Sequence, residues 1–389
     1  MIFPDWRRSF VCRCAVSEHP KTSVWPRCIS CHPHRVGSLV RSSESTGASD
    51  TVRSNRPNPR IVLARRPQGR PQASDFTFLD DDALAPDDGQ VVVAVDHLGI
   101  DAFIRTTLEE ESFHQGAQIG GVIPALGVGQ VVESRFEGLA VGDWVFGPLC
   151  SQTFATMPGF MMRRLDTSVV PPRAWLGALG LTTGLTAYVG LTEVGHVSAG
   201  QSVVVSAAAG AVGSVAGQIA RLLGASPVIG IAGGPEKCRF LVDELGYDAA
   251  IDYRNDDVEA RLRDLLPNGV DVFFDNVGGD VLDAVLMNIH RGSRIVICGA
   301  ISQYDDMKNV RGPRNYLKLA ERQAVMEGFA VFHFEHAYAA AEAQLTQWLS
   351  RGDLVMPEHV ETGVESFPRA LDILMSGGHR GKLLVKIAH

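Results

Sequence analysis

Three groups of residues in this chain could do chemistry: a small-residue turn with a lysine one strand beyond it, a tyrosine in a Cys-Gly-Ala-Ile-Ser-Gln-Tyr run, and cysteines with histidines near the start. The turn is the most informative. Val203-Val204-Val205 reads as a strand and leads into Ala208-Ala209-Gly210-Ala211-Val212-Gly213, after which Ser214 to Leu223 has helical character. Small residues here let the backbone approach a pyrophosphate closely, and a helix start offers unpaired N–H groups and a partial positive charge. Ala208 stands where the usual fingerprint has its first glycine, so the spacing of strand, turn, helix and strand carries the reading. The second strand, Pro227 to Ala232, ends in Gly233-Gly234-Pro235-Glu236-Lys237 without the acid that would bond an unphosphorylated ribose. Glu236 lies past that strand end. Lys237 suits a 2′-phosphate, and the pattern therefore predicts NADPH rather than NADH.

The cysteines near the start carry less. Cys12, Cys14, Cys28 and Cys31 make up four of the seven, and Cys28-x-x-Cys31 beside His32 and His34 has the spacing of a zinc knuckle. Nothing around them reads as a strand or helix able to hold four ligands, so residues 1–58 are expected to be a disordered basic extension without a metal. Ten Lys or Arg against four Asp or Glu give residues 1–60 a balance of +6 within a total of −8, which leaves −14 on residues 61–389. That acidic body argues against nucleic acid as a partner. Prolines interrupt any amphipathic transit helix in the leader, and no continuous apolar run suggests secretion. The uncharged stretches Ala174 to Thr192 and Ser198 to Ala220 are broken by glycines or contain the nucleotide turn, so no membrane span is expected. Scattered Cys150, Cys238 and Cys298 fit a reduced, cytoplasmic protein.

The elements that must position these residues follow from periodicity. Residues 59–180 alternate valine-rich runs with glycine turns, as in Gln90 to Val95 and Gly127 to Glu133, which implies a small, partly open β-barrel. From residue 181 the pattern becomes α/β, with strands at Ala249 to Tyr253, Val270 to Asp275 and Ser293 to Gly299. Helices are expected between them at Arg239 to Leu245, Val258 to Leu266 and Val281 to His290. This predicts a doubly wound parallel sheet over 181–335. Residues 336–389, with a helix at Ala337 to Leu349 and a strand at Lys382 to Ile387, are expected to return to the first domain, leaving the nucleotide domain inserted within the barrel domain.

From residue 60 onward the chain resembles the medium-chain dehydrogenase/reductase superfamily, in its zinc-independent prostaglandin reductase and alkenal double-bond reductase branch. The resemblance rests on Gly184-Leu185-Thr186-Ala187-Tyr188, Ala207 to Ser214, Ala232 to Lys237, Asp275-Asn276-Val277-Gly278-Gly279, Cys298 to Tyr304, Glu327-Gly328-Phe329 and Gly381-Lys382. It implies a Rossmann domain inserted in a GroES-like barrel domain. It further implies that Gly210, Ala211, Val212 and Gly213 contact pyrophosphate, and that Lys237 and Tyr253 hold the 2′-phosphate end of NADP. Asn276 with Cys298, Gly299, Ala300, Ile301, Ser302, Gln303 and Tyr304 would line the path to the nicotinamide, and Phe329, Ala330 and Val331 would pack beside it. The loop Leu98 to Phe103 has no cysteine and no Gly-His-Glu occurs, so the zinc ligands of other members have no counterpart.

Without a Lewis acid, hydride delivery to an activated carbon–carbon double bond is easier to explain than alcohol oxidation. An enone or enal is the expected substrate and Tyr304 the candidate catalytic donor, with a packing role as its alternative. A quinone reductase, or a non-catalytic NADPH-binding sensor, would use the same fold. A homodimer is expected. Departures from the branch lie at Asp101-Ala102-Phe103-Ile104-Arg105, where many members have Asp-Pro-Tyr-Met-Arg, at His379, where they often have asparagine, and at the longer Gly180-Leu181-Thr182-Thr183-Gly184. Arg105 could neutralise a substrate carboxylate or form a buried structural ion pair.

Overall fold

The computed structural model describes residues 53–110 and 116–389. The Cys28-x-x-Cys31 pair and the first 52 residues of the expected extension lie outside the described residues. Residues 53–58, expected to belong to that extension, instead open strand β1 (Arg53–Leu63), which pairs antiparallel with β2 (Phe76–Leu84). Two of its basic residues have distant acidic partners: Arg60 meets Asp81 of β2, and Arg56 meets Glu133 of the barrel sheet, each at 2.8 Å. These ion pairs accompany a strand that its own sequence does not announce.

The barrel sheet is built around β3 (Gln90–Ile100), which pairs antiparallel with β4 (Gly127–Ser134) and, on its other edge, with β6 (Phe154–Pro158). β5 (Trp144–Gly147) continues from β4 and is followed by the short β7 (Arg163–Arg164). Val91, Val92, Val93 and Val95 are all buried, so this strand is covered on both faces over its first half and its valines run together instead of alternating.

The second sheet has all six strands parallel, in the spatial order β10 (Ala249–Asp252), β9 (Val228–Ala232), β8 (Val203–Ser206), β11 (Val270–Asp275), β12 (Ile289–Ile297), β13 (Val325–Gly328). All residues of β8 and β9 are buried, which is why these strands read as unbroken apolar runs instead of alternating ones. The chain winds outward from β8 to β10, then crosses back to start β11 on the other side of β8. The carboxyl ends of β8 and β11 therefore flank the topological switch point, where open α/β sheets hold ligands. The helix expected to reach His290 ends at Leu286 instead, and Ile289 opens β12. A register shift at its start accommodates the turn around Gly292, whose φ is +85°.

Helix Glu335–Arg351, expected to lead the return to the barrel, packs on the nucleotide domain instead. Its buried Ala341, Leu345 and Trp348 join the cluster formed by β8 and helix Ala211–Leu222. The return comes later, with β14 (Glu358–Thr362) parallel to β15 (Lys382–Lys386) and β15 antiparallel to β3. Just before β15, Gly381 bridges Gly210 of the nucleotide turn, its N–H donating to the Ala209 carbonyl at 2.9 Å. Among the described residues, no helix is long and apolar enough to cross a membrane.

Candidate active site

A cleft of roughly 700 Å³ opens at the switch point, between the nucleotide sheet and the barrel. Its floor is knitted by Asp275 at the end of β11. That fully buried carboxylate accepts the Ser206 hydroxyl at 2.7 Å and the N–H groups of Val277 and Gly278 at 3.0 and 3.1 Å. The Asp275 carbonyl in turn receives Cys298 N–H at 2.8 Å, so the ends of β8, β11 and β12 are fixed to one another. Burial pushes the Asp275 carboxyl up, against the lowering effect of those hydrogen bonds. Asn276 donates its side-chain amide to the Ser206 carbonyl at 2.8 Å, which leaves its amide oxygen for the cleft.

Of the residues expected at the cofactor, Gly210, Ala211, Val212, Gly213, Lys237, Tyr253, Asn276, Cys298, Gly299, Ile301, Ser302, Tyr304, Phe329, Ala330 and Val331 all line this one cleft. Gly213 is required by close approach, since a Cβ there would sit 2.4 Å from the Ala207 carbonyl oxygen. Two expected residues do not line it. The Ala300 N–H is turned to the Tyr304 hydroxyl, and Gln303 is engaged at both ends of its amide by the backbone of Arg311. Gln303 therefore ties its own loop and does not line the cleft.

One end of the cleft is cationic. Lys237, in the helix Pro235–Arg239, donates to the Gly377 carbonyl at 2.7 Å and retains further N–H donors. Burial pulls its ammonium below the usual range, and the nearby guanidinium groups of Arg254 and Arg380 add to the shift. Cations gathered around a depressed lysine suit a dianionic phosphate, which would relieve the repulsion on Lys237. Arg254 was missed from sequence, although a basic residue directly after Tyr253 at the end of β10 was the available signal. Gly233 belongs here as well, because a Cβ would approach the Arg254 Nε and the Tyr253 ring to 2.9 Å.

His379 also lines the cleft, in the segment between Gly377 and Gly381. Burial lowers its pKa to about 4, with the Lys237 charge contributing, and its Nδ1 has no hydrogen-bond partner. Asp101 lies toward the barrel side, where its carboxylate accepts from the fully buried Lys382 ammonium at 2.5 Å and from the Thr182 hydroxyl at 3.2 Å. Thr182 belongs to the lengthened Gly180 to Gly184 segment, so that departure contributes to the cleft wall. Arg105 does not line the cleft. It is wholly buried and bonds Glu109 at 2.7 Å, which settles its two readings in favour of the structural ion pair.

The other end of the cleft is largely uncharged. Phe329 packs edge-on against Phe274 and Phe334 with ring centroids 6.4 and 6.1 Å apart, and Val331 is buried beside them. Burial pushes the Cys298 thiol up to about 12, so it is an inert wall. Tyr304 is the polar group here. Its oxygen accepts the Ala300 N–H at 3.2 Å, leaving the phenolic hydrogen to point elsewhere. Burial raises its pKa, opposed by that hydrogen bond and reinforced by Cys298 and Asp275, so the phenol stays protonated at neutral pH.

Comparison with known proteins agrees with this geometry. The family model described as the N-terminal domain of oxidoreductase matches residues 59–165, and the zinc-binding dehydrogenase model matches 211–347. A putative NADP-dependent oxidoreductase of Bacillus subtilis is 40% identical over 337 residues, covering 84% of this chain and 97% of the relative. The NADP-dependent 2-alkenal reductase of Nicotiana tabacum is 34% identical, over 85% of this chain and 98% of that protein. The crystal structure of CurA from Vibrio vulnificus in complex with NADPH superposes with a TM-score of 0.80 at 36% identity, over 85% of this chain and 99% of that one.

The chain is a medium-chain dehydrogenase/reductase of the enone and alkenal reductase branch. It is an NADP-dependent oxidoreductase, and NADP is its cofactor. The cationic end and the glycine-lined turn fit that cofactor. Zinc, named in one family description, does not fit: the Leu98 to Phe103 loop offers only Asp101, already bound to Lys382. Among the described residues, no group of three or more His, Cys, Asp or Glu is placed to hold a metal.

Two outcomes follow for the cationic end. Lys237→Ala should weaken NADPH binding by about 1–3 kcal/mol, the size of a charge-assisted hydrogen bond, and leave NADH binding nearly unchanged. Fluorescence titration with both cofactors reads this; equal losses for the two would remove Lys237 from the 2′-phosphate site. His379 concerns stability. Because its folded pKa of about 4 lies below the ordinary 6.5, the unfolded chain binds the proton first as pH falls. The stabilisation is complete above pH 6.5 and declines toward pH 4, by about 2 kcal/mol at pH 5. Urea denaturation of the cofactor-free protein at pH 7 and pH 5 should show that much less acid sensitivity in His379→Asn than in the parent.

Proposed function

We propose that this enzyme reduces the carbon–carbon double bond of α,β-unsaturated ketones or aldehydes by NADPH-dependent hydride transfer to the β-carbon. The observation that carries the reading is the Tyr304 hydroxyl, protonated, half-buried and left with an uncommitted hydrogen in the same cleft as Phe329. Bound NADPH supplies the hydride. Lys237, Arg254 and the Gly210 to Gly213 turn hold the phosphates, and Phe329 and Val331 form an apolar wall. As the β-carbon accepts the hydride, negative charge moves to the substrate's carbonyl oxygen. Tyr304 donates a hydrogen bond to that oxygen, which lowers the barrier because the charge exists only at and after the transition state, and uptake of a solvent-derived proton at the α-carbon then turns the enolate into the saturated carbonyl product. The activity named for the tobacco relative supports the substrate class.

We also infer that the protein is a homodimer joined at β13. This edge strand of the parallel sheet has one flank unpaired, and exposed Val325, Tyr316, Leu317 and Val310 lie along or near it in the chain. An uncovered strand edge with apolar neighbours is an association surface unless it is masked. Sedimentation of the parent should give a dimer and Val325→Arg should shift it toward monomer; a monomeric parent sinks the inference.

For the chemistry, Tyr304→Phe keeps the ring and removes the donor. With a panel of enones, enals and quinones, kcat for the preferred enone should fall roughly 10–1,000-fold, while NADPH affinity stays within about twofold. Unchanged kcat in a step that deuterated NADPH shows to be limited by hydride transfer would return Tyr304 to a packing role. Faster turnover of quinones than of any enone or enal in the parent would overturn the substrate class.

A further inference from the structure

The loop that carries Tyr304, Ile301–Asn309, belongs to the nucleotide domain by chain order, yet it touches the barrel at one buried cation. Arg105 sits in the barrel's short helix Phe103–Thr107 with no exposed surface. Two of its three nitrogens are anchored within the barrel: Nη1 donates to Glu109 Oε1 at 2.7 Å and Nη2 to the Gly69 carbonyl at 2.9 Å. What remains is aimed at Asp305, the residue after Tyr304. Nη2 also reaches the Asp305 carbonyl at 3.5 Å, and Nε, which has no hydrogen-bond partner, lies 3.8 Å from Asp305 Oδ1.

A buried guanidinium with an unsatisfied N–H is costly, and a shift of under about 1 Å would let Nε bond that carboxylate. The Asp305 side chain is about half exposed, so it is free to move, whereas Arg105 is not. We propose that Arg105 is a positioning residue that latches the Tyr304 loop to the barrel through Asp305, so that the donor's place depends on the two domains being correctly juxtaposed. This rests on the reading of Tyr304 as the donor. Arg105 touches neither substrate nor cofactor in this arrangement; it acts through the backbone that presents the phenol.

Asp305 is the member to change, because removing Arg105 from the barrel interior risks the fold. Asp305→Ala in the full-length protein should lower kcat for an enone about tenfold with NADPH affinity within about twofold. Asp305→Asn, which keeps an oxygen able to accept from Nε, should restore most of it. In a Tyr304→Phe background, Asp305→Ala should add less than about a further twofold, because the group it positions is already gone. Amide hydrogen exchange supplies a readout independent of Tyr304: residues 301–309 should exchange faster in Asp305→Ala and not in Tyr304→Phe. If Tyr304→Phe proves silent but the loop loosens in Asp305→Ala, the donor reading fails and the latch remains. Unchanged exchange in Asp305→Ala, or an equal drop in kcat in both backgrounds, overturns the latch.

Discussion

The cleft depends on one buried contact, the ion pair between Lys382 at the start of β15 and Asp101 just past the end of β3. Lys382 has no exposed surface and Asp101 almost none, so neither charge could stay in place without the other. The pair aligns two chain segments far apart in sequence, one from each side of the inserted nucleotide domain. Gly381 sits next to Lys382 and is bonded to Ala209 of the nucleotide turn, and Thr182, where the chain leaves the barrel, is bonded to Asp101. Both connections between the domains thus converge on this charge, at a cleft whose walls come from both.

Charge is divided along that cleft. At the phosphate end burial depresses the Lys237 ammonium and the charges of Arg254 and Arg380 add to the shift, a cost that an anionic ligand offsets. At the other end the groups are held neutral, with the Cys298 thiol and the Tyr304 phenol both raised by burial. A uniformly polar cleft would bind the cofactor as well but would admit water to the reacting end. Separation lets binding strength come from remote contacts while the hydride path stays dry.

Much of this was legible in sequence, for identifiable reasons. Val203-Val204-Val205 is buried on both faces, so its apolar character is unbroken, Val272-Phe273-Phe274 repeats this in β11, and the turn after β8 needs small residues for approach. The elements that misled are those whose partners are distant. Arg53 to Asn58 looks like basic leader because Asp81 and Glu133, which pair with its strand's arginines, lie elsewhere in the chain. Helix Glu335–Arg351 was visible from its period, but a period does not say which core receives Ala341, Leu345 and Trp348. Gln303 sits in a run of cleft residues, and only the position of Arg311 reveals that it faces away.

The availability of Tyr304 illustrates how backbone geometry can set up a donor without any charged neighbour. A buried hydroxyl normally satisfies both its hydrogen and an oxygen lone pair. Here the Ala300 N–H occupies the lone pair, and glycine at 299 leaves room for the phenolic oxygen, which an added Cβ would approach to 3.2 Å. The acceptor need is met by a group four residues earlier in the same chain segment, so the oxygen has its partner before any ligand arrives. What is left is a hydrogen with no protein acceptor, in surroundings that disfavour its loss to water. A substrate oxygen gaining negative charge completes the hydrogen-bonding set, and because that demand grows with the charge, the contact strengthens as the reaction proceeds.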